Sequence, residues 1–207
     1  MLKSREGGGI RLRTVLCMFH LFIQAAEIFV EGFYDSLRYF TSDRDKLAKA
    51  IVHALVREQF FVALEREQVL GIFAYSAGQK RAFRFQRVEL QRELGWLRGS
   101  LFYFLVRREL EKPLHLAEGQ CYFEAVATAK QARGRGVASQ LNNELISRLG
   151  YDDYILEVVD TNTAAIRLYE RLGYAEFRRK PQRWFRKQAG FNARLYMRWM
   201  QDQARPE

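Results

Sequence analysis

The chain has 207 residues, and 34 lysines and arginines against 24 aspartates and glutamates give it a formal net charge of +10 at pH 7. The hydrophobic share of 48% excludes a disordered chain, and 14 glycines and 3 prolines without a period exclude a collagen-like one. Two cysteines are too few for a disulfide scaffold and favour a reducing compartment, so we expect a cytoplasmic location. The positive charge favours an anionic partner: a nucleic acid, a membrane surface or a phosphorylated small molecule.

The N-terminal half is predicted to consist of helices around one hairpin. The apolar run 15–30 is too short and too polar to span a bilayer, so we expect a packed amphipathic helix over residues 20–40 and no membrane partner. The next predicted elements are a helix opened by a capping motif at residues 42–45, a hairpin of residues 60–64 and 69–75, and a helix over residues 88–110. Gly95 and Gly99 weaken this last helix.

The C-terminal half alternates between short strands and helices. In chain order the predicted elements are a strand over 121–128, a helix over 136–149, a strand over 154–159, a helix over 162–172, and strands over 174–178 and 193–199. This succession favours a mixed α/β sheet. Because no linker or repeat divides the chain, residues 10–207 are interpreted as one domain, and residues 1–9, with three consecutive glycines, as a flexible lead-in.

A glycine-rich turn follows the strand at 121–128. Gly134 and Gly136 let the backbone turn sharply, and the start of the next helix then presents unpaired N–H groups and the positive end of its dipole. Arg133 and Arg135 add two guanidinium groups that suit phosphate. These features predict a binding site for a diphosphate, although a tight turn with exposed arginines would give the same pattern.

A dinucleotide site is one interpretation of this turn. Residues 134–139 are close to the dinucleotide fingerprint, with Ser139 in place of the last glycine or alanine, and Asp160 could serve as the ribose-binding acid. This interpretation is disfavoured because the turn follows about 120 residues of other structure, whereas that fold usually opens with it.

A second motif lies on the next strand and helix. The pattern Gln131-x-x-Gly134-x-Gly136, followed by Asn162-x-x-Ala165-x-x-x-Tyr169-x-x-x-Gly173-Tyr174, resembles the acetyl-CoA-binding motifs of the GNAT superfamily of acetyltransferases, over about residues 121–178. The resemblance implies an α/β fold (mixed α+β): a single GNAT-like domain whose central mixed, twisted sheet contains two splayed parallel strands and is flanked by helices.

The resemblance also implies where acetyl-CoA, the expected co-substrate, binds. Backbone groups of the first splayed strand would pair with the pantetheine arm, the N–H groups of the glycine turn would bind the diphosphate, and the next helix would contact the pantetheine. The cofactor-binding residues expected on this basis are Val126, Thr128, Gln131, Ala132, Arg133, Gly134, Arg135, Gly136, Val137, Ala138, Asn162 and Ala165. No metal is expected.

Two residues are expected to carry the chemistry. Tyr169 resembles the family's general acid, and a phenol with a pKa near ~10 can protonate the departing thiolate; a packed aromatic is the alternative. Glu157 resembles the base of ribosomal-protein N-terminal acetyltransferases and is preferred to Glu124, which strand alternation would place on the same side as Val126 and Thr128. Both carboxylates could instead be structural, with water acting alone.

The sequence does not identify the acceptor. The N-terminal half carries many aromatic residues, most of which we expect to lie in the core rather than in an acceptor pocket: Phe29, Phe33, Tyr34, Tyr39, Phe40, Trp96, Phe102, Tyr103 and Phe104. The basic segment 178–187 is expected to be a solvated loop rather than a nucleic-acid site. The predicted function is transfer of an acetyl group from acetyl-CoA to a primary amine of a small molecule or a protein N-terminus. The alternative is a non-catalytic protein of the same fold that binds CoA or nucleic acid. The sequence leaves open whether the protein forms a homodimer.

Overall fold

The computed structural model describes residues 10–14, 19–183 and 190–201. Its strands are β1 (Arg11–Thr14), β2 (Phe60–Glu65), β3 (Gln68–Ala77), β4 (Gln120–Thr128), β5 (Asp153–Val159), β6 (Ala175–Pro181) and β7 (Ala193–Met200). Its α-helices are α1 (Phe19–Gly32), α2 (Tyr34–Leu37), α3 (Arg44–Val52), α4 (Arg87–Leu94), α5 (Trp96–Leu110), α6 (Val137–Leu149) and α7 (Thr163–Arg171).

The strands form one mixed sheet in the order β1-β2-β3-β4-β5-β7-β6. Of these neighbours only β4 and β5 run parallel. Helix α1 covers one face, where a Cβ added to Gly32 would lie 2.8 Å from the Cβ of Ala127. Helix α6 covers the other, where a Cβ added to Gly71 would lie 2.8 Å from Val137 Cγ1. The predicted mixed α/β fold is thus confirmed, and its core lies between the sheet and these helices.

Two predicted helices are interrupted. The helix expected over residues 20–40 divides into α1 and α2 at Phe33, directly after Gly32 packs onto β4. The helix expected over residues 88–110 divides into α4 and α5 at Gly95, whose φ of 82° is in the left-handed region. Gly99 instead stays helical inside α5, because a side chain there would strike α4.

The N-terminal and C-terminal edges of the sheet also differ from the prediction. The short strand β1, which pairs antiparallel with β2, was not expected, because four residues with three polar side chains carry little strand signal. Strand β6 continues to Pro181, so the first part of the basic segment 178–187 is an exposed edge strand rather than a loop. Residues 184–187 of that segment, and the lead-in 1–9, lie outside the described residues.

Candidate active site

Strands β4 and β5 are joined at one end and separate at the other. Their parallel pairing runs from Gln120 opposite Asp153 to Phe123 opposite Leu156, and no further residue pair joins them in the part of the chain that the structure describes. Beyond that point the edge of β4 facing β5 has no strand partner among those residues. The splayed pair expected from the sequence is therefore present, and an extended chain segment could bond between the two strands.

A β-bulge lies where the strands separate. On the β3 side Tyr75 pairs with Phe123 and Ala74 pairs with Ala125, so Glu124 is the extra residue of β4. A bulge of this kind shifts the alternation of side chains along the rest of the strand.

The bulge corrects one prediction about the faces of β4. Val126 pairs with Phe73, whose ring lies 4.5 Å from that of Phe123, so Val126 shares the α6 face with Phe123. Glu124 reaches Ser76 on the opposite face. Simple alternation had placed Glu124 on the same side as Val126 and Thr128; that prediction is wrong, because it assumed an unbroken strand.

Glu124 forms a buried ion pair. Its side chain is 1% exposed, and Arg81 donates to it from Nε at 2.7 Å and from Nη2 at 3.1 Å. The Ser76 hydroxyl and the backbone N–H of Ala82 also donate to the Glu124 carboxylate. A carboxylate that is buried and held by this many donors is suited to anchoring the segment after β3 to the sheet, and its oxygens are not accessible to a substrate.

The glycine turn joins β4 to α6 as expected. A 3₁₀ turn, Lys130–Ala132, leads into Gly134 and Gly136, each with a φ of 76° that an L side chain rarely adopts. No side chain caps α6 at Gly136. The first N–H groups of α6, from Val137 on, therefore remain open to an anion.

The two arginines of this turn are already paired with carboxylates. Arg135 lies 2.6 Å from Glu65 on β2, and Arg133 lies 3.7 Å from Glu31 on α1 while its Nε donates to the carbonyl of Thr128 at 3.2 Å. All of these groups stay partly exposed. An anion at the turn would therefore meet backbone N–H groups first and would compete with these carboxylates for the guanidinium groups.

Helix α7 begins and ends as its sequence predicts. The side chain of Asn162 caps it by accepting the N–H of Ala165 at 3.2 Å, and Gly173, with a φ of 89°, follows its last turn. Ala165 is half-buried and packs against the core.

Tyr169 is the buried residue of α7 and lies on the α6 side of the sheet. Its ring lies 5.7 Å from the ring of Tyr174, whose hydroxyl donates to Asn142 Oδ1 on α6 at 2.8 Å. Within the described residues the Tyr169 hydroxyl itself has no hydrogen-bond partner. Burial raises its pKa well above the ordinary value of about 10, so the phenol stays protonated at neutral pH.

Glu157 lies on the other face of the sheet, at the first residue of β5 beyond the paired region. Its carboxylate is 2.5 Å from Nη1 of Arg194, and Tyr196 is the residue directly opposite on β7. Burial and the charge of Glu157 together raise the pKa of Tyr196 to about 12. For Arg194, burial alone would lower the pKa, but Glu157 raises it overall. Both partners of Glu157 therefore keep their protons.

Asp160, the acid of the dinucleotide interpretation, has a structural partner. It accepts the N–H of Asn192 at 2.9 Å, and this hydrogen bond is the main reason that its pKa is lowered. Together with a glycine turn that follows the fourth strand of a mixed sheet, this contact argues against a dinucleotide fold. In the described part of the chain, no group of His, Cys, Asp and Glu residues could bind a metal ion.

The comparison with protein families decides between these interpretations. Residues 26–174 match the model of the "Acetyltransferase (GNAT) family", which covers most of the chain and both motifs. The chain belongs to the GNAT acetyltransferase family. No curated protein sequence matches it significantly.

Solved structures show the same GNAT fold at low sequence identity. An N-acetyltransferase from Staphylococcus aureus Mu50 superposes with a TM-score of 0.60 at 16% identity, over 91% of this chain and 100% of that one. A Corynebacterium glutamicum structure described as histone acetyltransferase HPA2 and related acetyltransferase gives 0.61 at 21%, over 91% and 94%. The ribosomal-protein-S18-alanine N-acetyltransferase of Escherichia coli gives 0.55 at 14%, over 93% and 94%.

Sequence reasoning missed several residues around this GNAT site. Arg194, Tyr196 and Arg81 surround the two candidate carboxylates, yet none belongs to a motif. Arg194 and Tyr196 are two residues apart on one strand, which is the only local signal that both share a face. Their partner on β5 is set by the register between β5 and β7, two strands that are separated in the chain by α7 and β6.

Proposed function

We propose that the protein transfers an acetyl group from acetyl-CoA directly to a primary amine of a small molecule or a protein N-terminus. The observation that carries this proposal is the split between β4 and β5, with an uncapped helix start after β4 and a buried tyrosine on the helix that follows β5. Membership of the GNAT family and structural neighbours described as N-acetyltransferases support it.

The pantetheine arm would lie along the unpaired edge of β4. Backbone groups near Val126 and Thr128 would bond to it as a neighbouring strand would, and Asn162 and Ala165 would contact it from α7. The diphosphate would be bound by the N–H groups between Gln131 and Ala138. Arg133 and Arg135 would exchange part of their contact with Glu31 and Glu65 for the phosphates.

The chemistry needs a base on one side of the thioester and an acid on the other. Glu157 would take a proton from the acceptor ammonium, directly or through one water, and the neutral amine would then attack the acetyl carbonyl carbon. A backbone N–H near Val126 would stabilise the oxyanion. As the C–S bond breaks, the sulfur would take the proton of Tyr169, and the nitrogen would release its second proton, by way of water, to the resulting phenolate, which gives the amide, the free thiol of CoA and a neutral Tyr169.

Ligand binding and one pair of matched variants test this proposal. Acetyl-CoA and CoA, but not NAD, should raise the melting temperature. At a hundred times its dissociation constant, either ligand should stabilise the folded protein by roughly 2.7 kcal/mol. With an acceptor found in an amine screen, Tyr169→Phe should lower kcat by about 100-fold or more and leave CoA binding unchanged. The control is Tyr174→Phe, which removes a neighbouring buried hydroxyl and should keep kcat within a few-fold.

Each outcome has a clear meaning. Absence of a thermal shift with both CoA species would contradict the proposed function. CoA binding without turnover on any amine would favour the non-catalytic alternative, and an unchanged kcat in Tyr169→Phe would remove that residue from the acid role. We also propose a cytoplasmic location and a single domain over residues 10–207.

A further inference from the structure

The segment between β3 and β4 is much longer than the sheet requires. The two strands are antiparallel neighbours, which a turn of two to five residues can connect. Here residues 78–119 separate them and carry the helices α4 and α5. This insertion is therefore expected to have a role beyond connecting β3 to β4.

The inner face of α5 accounts for its place in the fold. Phe102 is fully buried and stacks on Phe40 with the ring centres 4.2 Å apart. Gly99 lets α5 approach α4 closely, because a Cβ there would lie 2.5 Å from the carbonyl oxygen of Leu90. These contacts use one side of the helix.

The outer face of α5 is also apolar. Leu97, Leu101, Phe104 and Leu105 follow the i, i+4, i+7, i+8 spacing of one helical stripe, and Leu97 and Phe104 are 73% and 65% exposed. Trp96 extends this outer apolar face at the start of the helix with 68% exposure. A helix that is apolar on both sides is ordinarily covered on both sides, and a continuous exposed patch of this kind marks an interaction surface.

Two aromatic residues of α5 are exceptions to the expectation that most of the aromatic residues lie in the core. Phe102 is buried, but Trp96 and Phe104 point to solvent. Periodicity identified a helix with apolar positions and could not show that its two sides have different surroundings.

The charges that border the outer apolar face are predominantly unpaired cations. Arg98 and Arg108 are exposed and have no carboxylate partner among the residues that the structure describes. Of the nearby acids, Glu89 and Glu93 both pair with Arg92 on α4.

The acids at the end of α5 differ from each other. Glu111 lies 3.5 Å from Arg107, whereas Glu109 is exposed and has no ion-pair partner in the part of the chain that the structure describes. Arg98 and Arg108 against Glu109 leave a net positive charge beside the outer apolar face.

This charge distribution favours one kind of occupant. A second copy of the chain would bring its own Arg98 and Arg108 to the same contact, where they would repel. An exposed helix with Trp, Leu and Phe outward and arginines at its flanks is typical of helices that lie in the interface of an anionic membrane.

We propose that the outer apolar face of α5 docks onto the surface of a membrane that contains anionic lipid. The helix would lie parallel to the bilayer, with its apolar side chains in the headgroup region and Arg98 and Arg108 at the lipid phosphates. This attachment is peripheral, because none of the helices in the described ranges is long and apolar enough to cross a bilayer. It replaces the expectation of no membrane partner, which was based only on the lack of a membrane-spanning run and did not consider a helix on the bilayer surface. The proposal does not depend on the proposed acetyl transfer.

Sedimentation with vesicles tests it on the full chain. The protein should sediment with vesicles of phosphatidylcholine and phosphatidylglycerol, and much less with phosphatidylcholine alone. The double variant Leu97→Ser/Phe104→Ser should weaken binding by about tenfold or more, and Arg98→Gln/Arg108→Gln should do so by a similar factor at low salt. The control, Ile23→Ser/Phe177→Ser, changes apolar residues that are 40% and 50% exposed on α1 and β6, and should bind as the wild type does.

Three results would overturn the proposal. The first is a wild-type protein that does not bind anionic vesicles, and the second is an apolar double variant that binds as well as the wild type. The third is a dimer in light scattering that Leu97→Ser/Phe104→Ser converts to a monomer, because the face would then be occupied by a second copy. Far-ultraviolet circular dichroism of each variant verifies that it is folded.

Discussion

Glu157, directly beyond the last paired residues of β4 and β5, and Tyr169, on the helix that follows β5, lie on opposite faces of the sheet. Glu157 faces Arg194 and Tyr196, whereas Tyr169 packs beside Tyr174 toward α6. A group threaded through the split would therefore have a carboxylate on one side and a protonated phenol on the other. In the proposed reaction this arrangement would separate proton removal by Glu157 from proton donation by Tyr169.

The first prediction concerns the carboxylate at the split. Glu157→Gln should lower kcat by about 100-fold or more, because the amide cannot accept the proton of the ammonium group. The measurement is the initial rate of free CoA release with the best acceptor from the amine screen.

The matched control for this variant lies on the same face of β7. Arg198 pairs with Asp153 at 2.6 Å, at the end where β4 and β5 remain joined. Arg198→Gln should therefore keep kcat within about twofold. Equal rates for Glu157→Gln and the wild type would show that water alone removes the proton.

The second prediction concerns the buried ion pair between Arg81 and Glu124. Arg81→Gln or Glu124→Gln should each lower the free energy of unfolding by about 3–5 kcal/mol, because each leaves one buried charge without its partner. The double variant should cost less than the sum of the two. Urea unfolding measures all three, and Arg148→Gln, which breaks an exposed pair with Glu144, should change stability by at most about 1 kcal/mol. Additive losses would contradict a direct interaction.

The third prediction sets helix propensity against packing at Gly99. Propensity alone favours Gly99→Ala by about 1 kcal/mol. The added methyl group would, however, lie 2.5 Å from the backbone of α4, so we expect a net loss of about 1–3 kcal/mol in urea unfolding. Arg98→Ala, an exposed change on the same helix, should stay within about 0.5 kcal/mol. A stabilised Gly99→Ala variant would mean that the two helices separate at little cost.

The fourth prediction concerns pH. Burial is the main cause of the lowered pKa of His53, whose Nε2 accepts the N–H of Gln86 at 3.0 Å. The unfolded chain therefore binds a proton at this histidine before the folded one does. The resulting stability is complete above the unfolded pKa of about 6.5 and is lost as the pH falls through the folded pKa.

Urea midpoints at about pH 8 and about pH 5.5 measure this dependence. His53→Asn should lose less stability between the two values than the wild type does, whereas His20→Asn, at an exposed histidine, should follow the wild type. If His53→Asn and the wild type lose stability equally, the acid sensitivity lies in other groups.

The parts of the fold that could be predicted from the sequence are those with local signals. The Asn162 cap, the glycine turn at Gly134 and Gly136 and the hairpin of β2 and β3 all depend on residues close together in the chain. The contact between Glu157 and Arg194 could not be predicted. It depends on the register between β5 and β7, and no local signal fixes that register because α7 and β6 lie between the two strands in the chain. The exposed side of α5 escaped prediction because apolar periodicity is the same for a helix in the core and one at an interface.

The bulge at Glu124 ties the chemistry of this site to the number of residues in β4. On the N-terminal side of Glu124 the strand is paired with both of its neighbours. On the C-terminal side Val126 and Thr128 lie on the α6 face of the sheet, opposite to the face of Glu124. A substitution at Glu124 changes an ion pair but preserves that count. Loss of Glu124 itself would keep the pairs of Phe123 with Tyr75 and of Ala125 with Ala74, whereas loss of a residue beyond Ala125 would turn the remainder of the strand over, so the edge that faces the split would offer a different set of backbone groups. For this strand, length is therefore a stricter requirement than side-chain identity.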